Sequence, residues 1–222
     1  MATAILVDGA YFIKRFRKIE SHNSLNAKRA SELLFRWALA HLIEGRNDGQ
    51  KRKHDLYRIF FYDCPPLDKK LHNPISKRHV DFSKSEEATF RNTLHSLLRA
   101  KRKTALRLGH LSNDTPWTIK SNKIQDLLKG HIKFEDLTVD DVVPNVRQKG
   151  VDMRIAVDIS SLAMKKQVNQ IVLVSGDADF VPAAKLARRE GVDFILDPMW
   201  GKIQPNLYEH IDGLRSTCPR LG

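Results

Sequence analysis

Short apolar runs of strand length alternate with longer stretches of helical period along this chain. Ala4–Val7 is wholly apolar and stops at Asp8-Gly9, while Leu56–Tyr62 (LYRIFFY) is aromatic and β-branched and stops at Asp63-Cys64-Pro65-Pro66. Ala27–Leu42 carries Leu33, Leu34, Trp37, Ala38 and His41-Leu42 at helical spacing, with Asn26 or Ser24 as its cap. Arg46–His54 reads as a polar, Gly-containing loop. The C-terminal third is the most regular. A helix over about Val151–Lys166 leads to a strand Gln170–Val174 and a turn Ser175-Gly176-Asp177. A helix follows over about Asp179–Glu190, stopped by Gly191, then a strand Val192–Leu196 and a helix near Gln204–Leu214. This alternation predicts an α/β fold, a central parallel sheet flanked by helices on both faces.

The middle is less regular. Over about 67–146 the pattern predicts a basic helix (Lys84–Lys103), a strand pair around Ala105–Leu111 and Trp117–Lys120, and a short helix Lys123–Leu128. We expect this basic, insertion-like segment to pack beside the sheet, so that 1–222 forms a single domain.

Charge sharpens the picture. Lys and Arg number 38 against 26 Asp and Glu, a formal net charge of +12, which favours polyanionic partners through counterion release. The excess is grouped: Lys14, Arg15, Arg17 and Lys18; Lys51, Arg52, Lys53 and His54; Arg99, Lys101, Arg102, Lys103 and Arg107. No apolar run reaches the roughly 18 residues of a membrane span. Met1-Ala2-Thr3 leads straight into an apolar run with no basic n-region, so no secretory signal is expected. Cys64 and Cys218 lack zinc-site or CxxC spacing, and a reducing cytoplasm is the default location.

In open parallel sheets, ligands bind at the carboxyl ends of the strands. Three predicted strands deliver Asp8, Asp63 and Asp177 there, and Asp152 lies in the first turn of the Val151 helix. Each alone is also a common turn or cap residue. Converging carboxylates without interleaved Lys or Arg repel one another, and a hard divalent cation relieves that repulsion.

Three segments resemble the motifs of NYN-domain (LabA-like) proteins: Val7-Asp8-Gly9-Ala10-Tyr11-Phe12, Lys149-Gly150-Val151-Asp152 with Asp158, and Ser175-Gly176-Asp177-Ala178-Asp179-Phe180-Val181-Pro182. The likeness extends to Tyr62-Asp63, Arg107-Leu108-Gly109 and Leu207–Asp212. It implies a PIN-like fold and a metal-dependent nuclease acting on RNA, single-stranded by preference, with Mg²⁺ or Mn²⁺ at the acids. Asp8, Asp152 and Asp177 match the metal-binding, catalytic acids, and Asp179 matches a neighbouring metal-site acid. Many relatives carry Asn where this chain has Tyr11. The alternative is therefore a catalytically weak or inactive NYN domain that binds RNA or scaffolds a partner.

Several basic residues are expected to contact nucleic acid: Arg15, Lys18, Lys149 and Arg154 near the acids, and the run Lys101, Arg102, Lys103. Trp117, Trp200 and Tyr11 are candidates for base stacking. Asp152 and Asp158 stand six positions apart, so their side chains diverge by roughly 120° on a helix. Asp152 is thus expected at the metal and Asp158 in a structural hydrogen bond. An aspartyl-nucleophile phosphatase would want Asp where Ala10 stands, and no GxGxxG or GxxxxGK[ST] cradle exists. No membrane partner is expected, and a homo-oligomer is left open.

Overall fold

The computed structural model describes residues 1–45 and 51–220. Its centre is a six-stranded, all-parallel sheet built from β1 (Ala2–Asp8), β2 (Asp55–Asp63), β3 (Thr104–Leu108), β4 (Gln170–Val174), β5 (Asp193–Asp197) and β6 (Gly213–Leu214). The spatial order is β6-β5-β4-β1-β2-β3. The chain therefore winds outward in one direction from β1 and in the other from β4, and the order reverses between them.

Among the described residues the α-helices are α1 (Gly9–Ile19), α2 (Ala27–Ala40), α3 (Glu86–Arg99), α4 (Ser121–Leu128), α5 (Val151–Met164), α6 (Val181–Arg189) and α7 (Pro205–Tyr208). Strand alternation divides the core into two layers. Ala4, Leu6, Phe60, Tyr62, Ile171 and Leu173 point to the face covered by α5 and α6. Ile5, Val7, Ile59, Phe61, Val172 and Val174 point to the face covered by α1, α2 and α3. Both faces are covered, which is why the inner strands read as unbroken apolar runs.

The α/β architecture, with a parallel sheet between two helical layers, is as the pattern predicts. Several elements differ from expectation. Helix α1 follows β1 directly, and its Phe12, Ile13 and Phe16 are buried. The basic residues between them obscured a stripe that the Phe12–Phe16 spacing does carry. The basic helix is shorter than predicted, so Lys101–Lys103 form the turn before β3. Thr104–Leu108 does not pair with the Trp117 strand. It joins β2 at the sheet edge, and Trp117–Ile119 pairs instead with Val142–Pro144. Both α3 and β3 of the basic middle segment thus belong to the central layers.

Lys51–Lys53, expected in a loop, pairs antiparallel with Ile43–Gly45; residues 46–50 of that loop lie outside the described residues. The helix expected at Gln204–Leu214 stops at Tyr208, because Asp212 turns back to the sheet. Its carboxylate accepts from the Phe194 amide at 2.9 Å and from Arg188 Nε at 2.8 Å, and Gly213–Leu214 pairs with β5. No helix among the described residues is long and apolar enough to cross a membrane.

Candidate active site

The strand order reverses between β1 and β4, and the carboxyl ends at such a reversal are where doubly wound sheets bind ligands. Asp8 ends β1 on one side of the reversal. Its Oδ1 accepts the Tyr11 amide at 3.1 Å and so caps α1. Its Oδ2 accepts from Ser175 Oγ at 3.3 Å. The same Ser175 oxygen accepts the Asp177 amide at 3.3 Å. One buried hydroxyl thus ties the end of β1 to the turn after β4. Asp177 in turn caps a short 3-10 turn by accepting the Asp179 amide at 3.0 Å.

Asp152 reaches the rim by another route. Gly150, with φ of 77°, holds a left-handed conformation that a side chain would strain, and α5 starts on the next residue. Gly109 fixes the same segment, since a Cβ there would lie 2.5 Å from the Lys149 carbonyl and 3.1 Å from Cys64 Sγ. The first turn of α5 is therefore seated beside the carboxyl ends of β2 and β3.

Electrostatics join these acids. Burial lifts the Asp8 carboxyl to about 6; hydrogen bonds from Tyr11 and Ser175 oppose this, while the charges of Asp152 and Asp63 add to it. Asp152 is also raised, first by partial burial and then by Asp177 and Asp179. None of Asp8, Asp152, Asp177 or Asp179 has an ion-pair partner among the described residues. The donor set is all oxygen, which suits a hard divalent cation. Among the described residues, no group of three or more His, Cys, Asp or Glu side chains is set to hold a metal in its present arrangement.

The family model of the NYN domain matches residues 81–202, just over half of the 222 residues. The chain belongs to the NYN-domain family. NYN domains have a PIN-like fold and are nuclease-like in general, and nucleases of this kind typically use divalent metals. The matched segment of this NYN chain carries Asp152, Asp158, Asp177 and Asp179, whereas Asp8 lies ahead of it on β1. A crystal structure of a Vibrio parahaemolyticus protein of unknown function aligns over 96% of this chain and 90% of its own, with a TM-score of 0.45 and 13% identity. No curated protein matches the NYN chain by sequence.

The other acids named from sequence have different surroundings. Asp63 is fully buried beneath α3, with Arg91 Nη1 at 2.5 Å and His95 Nε2 at 2.8 Å. Asp158 accepts from Tyr62 Oη at 2.8 Å and lies 3.3 Å from Arg107 Nε. These contacts tie α5 to β2 and β3.

The basic residues divide as sharply. Lys149 and Arg154 are exposed; Arg154, roughly 160° around α5 from Asp152, lines a groove of about 390 Å³ with Arg107, His110 and Asp158. Arg15 is turned toward the protein, donating from Nε and Nη2 to the Met199 carbonyl at 2.9 and 2.6 Å. Lys18 stands in the last turn of α1, roughly 13 Å of helical rise beyond its start. Lys101–Lys103 precede β3 and so lie at the amino edge of the sheet, opposite the acids. There Lys101 stacks 4.9 Å over the Phe35 ring and Lys103 Nζ donates to the Leu56 carbonyl.

Tyr11 is not free to stack. Its hydroxyl donates to the Pro198 carbonyl at 2.6 Å, and its ring covers Gly176, where a Cβ would come within 2.9 Å of it. Burial pushes this phenol up to about 12, which keeps it a donor. Ser175 stands in the third motif with no role evident from sequence; only the three-dimensional approach of β1 to β4 reveals its bridging position.

Proposed function

We propose that this NYN domain is a metal-dependent ribonuclease that hydrolyses phosphodiester bonds of single-stranded RNA. The observation behind this reading is the set of mutually repelling acids, Asp8, Asp152, Asp177 and Asp179, gathered without cationic partners where the strand order reverses. Asp8, Asp152 and Asp177 hold Mg²⁺ or Mn²⁺, with Asp179 beside them. A divalent ion bound there supplies charge neutralisation at the phosphate and lowers the pKa of an attacking water. Ser175 orients Asp8 through its hydroxyl and Asp177 through the amide it receives. Lys149 and Arg154, both exposed around the start of α5, hold the strand by its phosphates.

Labelled single-stranded RNA, duplex RNA and single-stranded DNA, each incubated with Mg²⁺, Mn²⁺ or EDTA, test the proposal. Cleavage of the single-stranded RNA should require metal and disappear in Asp8→Asn. Metal-independent cutting that survives Asp8→Asn would refute it. A second reading, an RNA-binding module that does not cut, is favoured by Tyr11, whose ring fills the space between the Gly176 turn and the Pro198 carbonyl. Binding in the same assay without cleavage under any metal would select it.

A further inference from the structure

The turn after β5 is the most strained described segment, and it lies beside the acidic strand ends. Met199 (φ 46°) and Trp200 (φ 60°) are consecutive non-glycine residues in the left-handed region. Such conformations are unfavourable for residues with a side chain and persist only where their surroundings over-determine them. The surroundings here do so. Tyr11 Oη holds the Pro198 carbonyl and Arg15 holds the Met199 carbonyl. The Trp200 amide donates to Ser216 Oγ at 3.0 Å, and its indole Nε1 donates to the Cys218 carbonyl at 2.8 Å. Gly201 admits the Tyr11 hydroxyl where a Cβ would clash.

The two strained residues have opposite fates. Met199 is 1% exposed and anchors the turn in the core, whereas Trp200 remains 46% exposed. Its ring is held rigid at the surface, with the Arg220 guanidinium 5.4 Å from its centroid and exposed Lys202 two residues on. A single phenol ring, that of Tyr11, separates this turn from Gly176 and hence from Asp177. A cationic aromatic surface one ring's width from an acidic, metal-type site suits one ligand chemistry: a base whose adjoining phosphate lies at the acids.

We propose that Trp200 is a stacking platform for a base of the single strand bound at the rim, and that Tyr11 and Arg15 are positioning residues for its turn. This rests on the reading of the rim as a polynucleotide site, but stacking does not require that the strand be cut. Trp117, half-buried, packs 6.0 Å from Phe82 within the middle segment.

The test separates stacking from cleavage. Full-length protein in EDTA is titrated with a uridine decamer while tryptophan fluorescence is followed. Of the three tryptophans, Trp37 is buried and Trp117 is half-buried, so Trp200 should dominate the quench. Trp200→Ala should abolish it and weaken affinity roughly 5- to 150-fold, read by anisotropy of a labelled decamer. Trp200→Phe should recover most of that affinity. Tyr11→Phe, which keeps the ring but frees the turn, should bind more weakly with its circular dichroism unchanged. Trp200→Ala binding within twofold of the parent, or no binding by the parent, would overturn the proposal. Stacking without metal-dependent cleavage would leave it standing and reject the nuclease reading instead.

Discussion

Asp8 and Asp63 end adjacent, parallel strands, yet the fold treats them oppositely. Asp63 is enclosed and supplied with Arg91 and His95 as partners from the helix above it. Asp8 is largely enclosed too, but it receives only an amide and a hydroxyl, and its charged neighbours are further carboxylates. A buried acid with its counter-charge built in has its desolvation offset within the chain; one without it destabilises the chain until a cation arrives from outside. The difference separates a structural aspartate from a candidate ligand, although both follow an apolar strand in the sequence.

Breaking the paired acid should have the largest effect. Asp63→Ala leaves the Arg91 guanidinium partly buried without its carboxylate and should cost about 3–5 kcal/mol in urea unfolding. A loss below about 1 kcal/mol would show that Arg91 finds compensation in Glu87, which already binds its Nε at 2.6 Å.

Asp8→Asn should do the reverse. The folded-state carboxyl sits at about 6, above its ordinary value of 3.8, so the native state holds this proton more tightly than the unfolded chain. Ionisation therefore costs stability above pH 6, and the cost fades as the pH falls toward 4. Metal-free Asp8→Asn should gain up to about 3 kcal/mol at pH 8 and almost nothing at pH 4, while losing cleavage. A pH-independent change in stability would remove Asp8 from the repelling set.

A smaller contrast runs along α5. Asp158→Asn should lower stability by about 1–2 kcal/mol, because it weakens the acceptor for Tyr62 and removes the charge facing Arg107, with cleavage falling only as folded protein is lost. Asp152→Asn should abolish cleavage and leave metal-free stability unchanged or higher. If Asp158→Asn stays fully stable but loses cleavage, the site reaches further along the helix than proposed. The smallest effect belongs to the amino edge. Replacing Lys101, Arg102 and Lys103 by Ala should leave the slope of log affinity against log salt nearly unchanged, whereas Lys149→Ala with Arg154→Ala should flatten it. A flattened slope for the triple variant would mean that the strand wraps the sheet to its far side.

Apolar period carried the four inner strands and helices α5 and α6 because burial on both faces imposes it. It did not carry α1, whose basic residues ride between Phe12 and Phe16, nor the sixth strand, which is two residues long and fixed by the distant Asp212 contact to Phe194. The aspartates were legible as strand-end residues. Their sorting was not, since Arg91 and His95 are 28 and 32 positions from Asp63, and Ser175 is 167 from Asp8. Nor could spacing show that Arg15 faces a carbonyl instead of solvent. Sequence proximity to an acid says little about which way a helix turns.

The position of β1 also bears on how the chain matures. One of its edges can pair with β2 once residue 63 has been made, but its other partner, β4, ends at residue 174. At ribosomal speeds of 5–20 residues per second, that delay lasts about 5–20 s. Throughout it, a hydrophobic strand with an open hydrogen-bonding edge waits at what will be the middle of the sheet. The nascent protein is therefore most vulnerable to edge-to-edge association during synthesis of its basic middle segment, whose charge would help keep neighbouring chains apart.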